Sequence, residues 1–151
     1  GRRQFGRSSS TIVMAALGTL TAASLALTAC GIFDRHSVST EEGWSTWSAE
    51  AVQSASSAGR PVFIDFTAAW CITCQANKLA VLDREEVVSR MSALGYVRFL
   101  ADWTNKDPAI TKELAKYGRT GVPLYVLIYK DGTVKVLPEL LTTGTVLDAL
   151  K

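Results

Sequence analysis

The sequence predicts an α/β domain, a central mixed β-sheet flanked by helices, with an extra helix at its amino-terminal side. Three observations predict it. Short apolar runs rich in β-branched and aromatic residues alternate with segments of helical composition. Those helical segments carry recognisable caps, a glycine after each of three of them and a proline at the start of one of these. Near the end two strand-like runs are joined by Lys130-Asp131-Gly132-Thr133, a hairpin turn signal.

The elements follow in order. A helix is expected from about Ser48 to Ser57, with Ser48 as N-cap and Gly59 as the glycine past its end. Trp44 and Trp47, just before it, are read as packing on the domain body. Arg60-Pro61 ends that helix, and Val62-Phe63-Ile64-Asp65-Phe66 follows as a buried central strand. After Thr67 to Cys74 a helix is expected to about Leu82, on the spacing of Cys74, Leu79 and Leu82 and the helix formers Gln75, Ala76, Lys78 and Ala80. A second helical stretch runs from Arg84 to Leu94 and stops at Gly95. Tyr96 to Ala101 reads as a strand. Asp107-Pro108 opens a helix to Tyr117, with Pro108 at its first position and Gly118 past its end. Leu124 to Tyr129 and Thr133 to Leu137 form the hairpin, and Thr143 to Leu150 a last helix. The order is β-α-β-α-β-β-α behind the extra helix.

Charge and composition narrow the function. The chain has 151 residues, 48% hydrophobic and 20% charged, enough for one ordinary domain with an additional apolar segment. Residues 1–30 hold Arg2, Arg3 and Arg7 and no acid; the rest holds 13 basic and 14 acidic residues. The globular part is thus near neutral with no Lys/Arg-rich run, which speaks against nucleic-acid binding. The single histidine, His36, makes a histidine-based dyad or a His-rich metal site improbable.

The uncharged stretch 11–29 lies between the three arginines and Cys30-Gly31, the layout of an export signal. Gly1-Arg2-Arg3-Gln4-Phe5 looks like the start of a twin-arginine signal, and Leu27-Thr28-Ala29-Cys30 resembles the bacterial lipobox, in which the cysteine is lipidated. The competing reading is a last transmembrane helix. Either places the arginines inside and everything after Cys30 outside the cytoplasm. The organisation read from this is an export signal or membrane anchor at 1–30, a polar linker at 31–43, and a folded domain at 44–151.

The chemistry rests on Cys71-Ile72-Thr73-Cys74. Thiol–disulfide exchange needs one thiolate that attacks and a second thiol close enough to resolve the mixed disulfide. A C-x-x-C at a helix start supplies both: unpaired backbone N–H groups and the helix dipole stabilise the first sulfur, and the second lies one turn on. Cys71 is then the exposed nucleophile and Cys74 the more buried resolving thiol. A zinc site needs two further ligands, and only Cys30 and His36 remain. Two thiolates suffice for Cu(I), so a copper-handling thiol module stands as an alternative. A structural disulfide closing so short a loop contributes little stability. A non-catalytic adaptor is disfavoured by the intact pair.

Phe63 to Cys74, with Trp70 directly before Cys71 and Asp65 six residues earlier, resembles the strand and active-site segment of thioredoxins. Gly121-Val122-Pro123 resembles their cis-proline loop. Asn77-Lys78, the run Ala101 to Thr111, Gly121 to Tyr125, and Leu137 to Thr142 more narrowly resemble the C-terminal domain of DsbD/ScsB-type thiol:disulfide interchange proteins. The likeness covers about Trp44 to Lys151.

This resemblance implies a thioredoxin fold and an extracytoplasmic protein-disulfide reductase. Cys71 attacks, Cys74 resolves, and Asp65 is a buried carboxylate that moves the proton of Cys74. Desolvation is expected to raise the pKa of Asp65, and its proximity that of the thiols. Trp70, Val122 and Pro123 form the client surface, with the Val122 backbone able to pair with an extended segment. The implied partners are a membrane electron-donor protein or domain and oxidised client proteins, other thioredoxin-like proteins among them. Without a Gly-rich phosphate loop, no organic cofactor beyond the Cys71–Cys74 disulfide is implied, and no metal. Lys78 and Ala69 depart from acidic positions of some relatives; both changes remove negative charge near Cys71 and predict a lower thiolate pKa. A cytochrome c maturation thioredoxin is the alternative within the same chemistry.

Overall fold

The computed structural model describes residues 43–151; the export-signal, Cys30 and linker readings fall on residues 1–42, outside the described part. The order is β1 (Ser45–Thr46), α1 (Ala49–Ser57), β2 (Val62–Thr67), α2 (Ile72–Asn77), a π-helical turn (Lys78–Leu82), α3 (Glu85–Leu94), β3 (Val97–Asp102), α4 (Pro108–Lys116), β4 (Leu124–Ile128), β5 (Val134–Val136) and α5 (Thr143–Ala149).

The five strands form one mixed sheet in the order β1-β3-β2-β4-β5. β2 lies parallel to β3 and antiparallel to β4, and β4 pairs antiparallel with β5. β2 is central, and from Val62 to Phe66 every residue is buried, because helices cover both faces. Side chains alternate across the sheet. Phe63, Tyr125 and Leu127 pack with Val81, Leu82, Met91 and Val146 on one face. Val62, Ile64, Phe66, Phe99 and Val126 pack with Trp47, Ile110 and Leu114 on the other.

The caps expected from sequence are in place. Ser48 Oγ accepts the Ala51 N–H at 3.1 Å at the start of α1. The Asp107 carboxylate accepts from Ala109 N and Ile110 N at 2.8 and 3.1 Å, with Pro108 opening α4. Gly95 ends α3 at φ +78°, a conformation strained for any residue with a Cβ.

Two features differ from the sequence reading. β1 is a two-residue strand, parallel to β3 through Ser45↔Phe99 and Thr46↔Leu100, where no strand was expected. Its flanking tryptophans settle into opposite clusters, Trp44 against Phe63 and Trp47 against Phe66. The single helix expected to Leu82 instead ends at Asn77 and gives way to the π-helical turn. Leu79, whose spacing with Cys74 and Leu82 points to one helix, is 75% exposed, and the inward positions are Cys74, Asn77, Val81 and Leu82. The polar Asn77 occupies that face because its amide finds three partners there, as described below.

Candidate functional site

β2 delivers the chain to the site. After Thr67 the backbone turns, with Cys71 N–H donating to Ala68 O at 3.0 Å, and α2 begins. Cys71 is the N-cap of α2: its backbone is extended (φ −86°, ψ 98°), and its Sγ accepts the Cys74 N–H at 3.2 Å. The Gln75 N–H donates to Cys71 O at 3.1 Å, the first bond of the helix. A sulfur at this position meets the unpaired N–H groups and the positive end of the helix, which stabilise a thiolate when the pair is reduced. Cys71 and Cys74 are joined in a disulfide, with an S–S distance of 2.04 Å and Cα atoms 5.3 Å apart.

Both sulfurs are sheltered. Cys71 keeps 7% exposure and Cys74 2%, so Cys71, read from sequence as the exposed member, is only slightly the more accessible in the oxidised pair. They cluster with Ala68, and Val122 packs against that cluster. The Val122–Pro123 peptide bond is cis, and Pro123 is buried at the entry to β4. The exposed neighbours are apolar: Trp70 at 53% and Ile72 at 85%. The covalent pair thus lies under an uncharged rim with an aromatic on one side.

Asp65 is 1% exposed on β2, directly opposite Tyr125 on β4. By strand alternation it shares its face with Phe63, the side on which Asn77 of α2 packs against Tyr125. Burial, with the Asp65 charge adding to it, pushes the Tyr125 hydroxyl well above its ordinary value; the hydrogen bond from Asn77 acts in the opposite sense. Lys78 lies at the C-terminal end of α2, with its ammonium 3.4 Å from Asp83. The positive charge that the sequence adds near Cys71 is thus shared with an acid, which weakens its pull on the thiolate.

Two contributors escaped the sequence reading as individual residues. Asn77 Nδ2 donates to Tyr125 OH at 3.0 Å and to Glu139 O at 2.6 Å, while its Oδ1 accepts the Leu141 N–H at 3.2 Å. Thr104 Oγ1 accepts the Ala69 N–H at 2.8 Å, and its carbonyl accepts from Trp70 Nε1 at 3.1 Å. Trp70 also lies against Trp103, ring centroids 6.0 Å apart, and Trp103 Nε1 donates to Thr111 Oγ1 at 2.8 Å. The available signal was that the segments holding these residues carry the interchange-protein likeness. Among the described residues no group of three or more His, Cys, Asp or Glu is placed to hold a metal ion. No helix there is long and apolar enough to cross a membrane.

The model of the thioredoxin-like family matches residues 43–130. The chain belongs to the thioredoxin-like family. Within it, the chain is similar to the thiol:disulfide interchange protein DsbD 1 of Pseudomonas aeruginosa, 35% identical over 82 residues. Those residues are 54% of this chain and 13% of that protein, so the chain spans only a small part of that relative's length. Among solved structures, the reduced C-terminal domain of Neisseria meningitidis DsbD superposes with a TM-score of 0.56 at 24% identity, over 68% of this chain and 94% of that one. Its oxidised form gives 0.57 at 22%, over 69% and 94%. A thioredoxin from Thermus thermophilus gives 0.57 at 23%, over 71% and 82%. These superpositions establish the thioredoxin fold. This thioredoxin-like chain is similar to a thiol:disulfide interchange protein and carries the Cys71–Cys74 disulfide that such exchange requires.

Proposed function

We propose that the chain is a protein-disulfide reductase of the extracytoplasmic face of a membrane, taking electrons from a membrane-bound donor and passing them to oxidised client proteins. The observation that carries the redox assignment is Cys71 as N-cap of α2, disulfide-bonded to Cys74 one turn later. The direction rests on the likeness to an interchange protein. The extracytoplasmic placement rests on the arginines, the apolar stretch and the lipobox-like Leu27-Thr28-Ala29-Cys30.

In the reduced pair the Cys71 thiolate attacks a client disulfide. One client sulfur becomes bonded to Cys71, and the other leaves as a thiolate. Cys74 then loses its proton and attacks Cys71 Sγ, which restores the Cys71–Cys74 disulfide and releases the client as a dithiol. Two electrons have passed to the client, and the donor returns two to the pair. Asp65, buried on the face that α2 covers, is the group assigned to receive the proton of Cys74. Trp70 and Ile72 form the apolar rim that meets the client, and Val122, which packs against the cysteine cluster, is assigned strand-like pairing with the client through its backbone. The clients best suited to such a rim are other thioredoxin-like proteins.

The test is turnover of an insulin disulfide by the full chain with dithiothreitol as reductant. Wild-type protein is expected to accelerate it, and Cys71→Ser to fall to background. Cys74→Ser is expected to accumulate a mixed disulfide on Cys71. Full turnover by Cys71→Ser refutes the assignment. Comparing apocytochrome with insulin as client separates general reduction from haem maturation. A diacylglyceryl group on Cys30 in the mass spectrum of the mature protein tests the anchor.

A further inference from the structure

The turn that presents Cys71 is held from a distant loop. Between Ala68 and Cys71 stand only Ala69 and Trp70, and both are bonded to one residue, Thr104, between β3 and α4. The Ala69 N–H donates to Thr104 Oγ1 at 2.8 Å, across 35 positions of chain. Thr104 is itself oriented. Its N–H donates to Asp102 Oδ1 at 2.9 Å, and its hydroxyl makes a short contact with the same oxygen. A carboxylate only accepts, so the hydroxyl hydrogen is committed to Asp102 and an oxygen lone pair is left for the Ala69 N–H. The chain Ala69 N–H, Thr104 O–H, Asp102 carboxylate therefore has one polarity, and its charged end strengthens both links. Thr104 lies outside both large hydrophobic clusters.

We infer that Thr104, with its hydroxyl aimed by Asp102, is a positioning residue that keeps the sulfur of Cys71 at the amino terminus of α2. The inference rests on the redox role of the Cys71–Cys74 pair. Releasing Ala69 loosens the turn closed by the Cys71 N–H to Ala68 O bond, and the Cys71 sulfur then spends less time against the Cys74 N–H and the helix end. The thiolate loses stabilisation and attacks less often. The charged groups about this turn are Lys78 and Asp102, which line one small cleft with Ala68, Ala69 and Thr104, and Asp65, buried on β2.

Thr104→Val keeps the branched shape and the carbonyl bonded to Trp70 but removes the acceptor for Ala69. Two readouts on the full chain are informative: the pH midpoint of iodoacetamide alkylation, read at Cys71 by peptide fragmentation, and kcat and KM for insulin reduction. Thr104→Val is expected to raise the midpoint by about half a unit to one unit, a roughly three- to tenfold loss of thiolate near neutral pH. A comparable fall in kcat with KM nearly unchanged is expected, because client contacts are untouched. Thr104→Ser restores both, since it regains the hydroxyl. Asp102→Ala is the second variant, at an exposed position, for the case that Thr104→Val does not fold. Removing a negative charge would by itself lower the midpoint; loss of the aimed hydroxyl raises it, so the sign decides. An unchanged or lowered midpoint in folded Thr104→Val or Asp102→Ala overturns the role of Thr104. Absence of insulin turnover by wild-type protein overturns the reductase reading instead, while the alkylation midpoints still judge Thr104.

Discussion

Replacing Asn77 by leucine is expected to cost the domain about 3 kcal/mol, more than any single hydrogen bond would suggest. The side chain is 5% exposed and joins α2 to two separate parts of the fold. It donates to Tyr125 OH, in the sheet, and to Glu139 O, and it accepts the Leu141 N–H, both in the segment after β5. Leucine is similar in size, so packing is nearly kept while three partners lose their bonds. The Leu141 N–H is buried, and leaving it unpaired costs roughly 1–3 kcal/mol. Glu139 O lies in a partly buried contact, which lets solvent reach it, and losing its bond costs about 0.5–1.5 kcal/mol. Tyr125 OH gives up a bond of similar worth. Summed conservatively, these give the figure stated. Urea unfolding followed by tryptophan fluorescence measures it. With a slope of about 1.5 kcal/mol per molar for a domain of this size, the midpoint falls by about 2 M while the slope stays the same. A midpoint shift under about 0.5 M in the oxidised protein would mean that Asn77 is a bystander and that α2 is held by its apolar contacts alone.

Two further outcomes follow from named groups. The folded-state pKa of Tyr125 is raised, by burial first and then by Asp65. Its stabilising contribution is therefore complete below the unfolded value near 10 and is lost as pH rises beyond it, by up to about 1.4 kcal/mol per pH unit. Tyr125→Phe is expected to flatten the fall of urea midpoint above about pH 10, whatever it costs at neutral pH; an unchanged slope there removes Tyr125 from the account. Asp107→Ala removes the acceptor for Ala109 N and Ile110 N and is expected to cost about 1–2 kcal/mol, read as a lower thermal midpoint, with insulin reduction at ambient temperature unchanged.

What the sequence made legible was what nearby residues decide. The strand Val62–Thr67 is buried through Phe66 because both its faces are covered, and its run of Val62, Phe63, Ile64 and Phe66, broken only by Asp65, is found without an alternating pattern. Capping residues sit within three positions of the N–H groups they serve, so Ser48 and Asp107 announce α1 and α4. The Cys71–Cys74 pair is legible for the same reason, since a helical turn brings residues three apart together. β1 escaped because two residues carry no period; what fixes Ser45–Thr46 is the burial of Trp44 and Trp47 in opposite clusters.

The remainder of the site is built from bonds that sequence spacing does not reveal. Asn77 reaches partners 48, 62 and 64 positions away, and Thr104 receives Ala69 from 35 positions away. Read locally, an asparagine in a helix belongs on the solvent side and a leucine two residues later belongs inside, yet Asn77 is buried and Leu79 exposed. Hydropathy ranks a side chain by its transfer from water, and a polar group reverses that rank once the fold supplies partners for all its bonds. The proposed thiol–disulfide exchange is read from four consecutive residues. How the sulfurs are held depends on loops that meet only in the folded chain, so variants at Asn77 and Thr104 separate the chemistry of the pair from the scaffold that presents it.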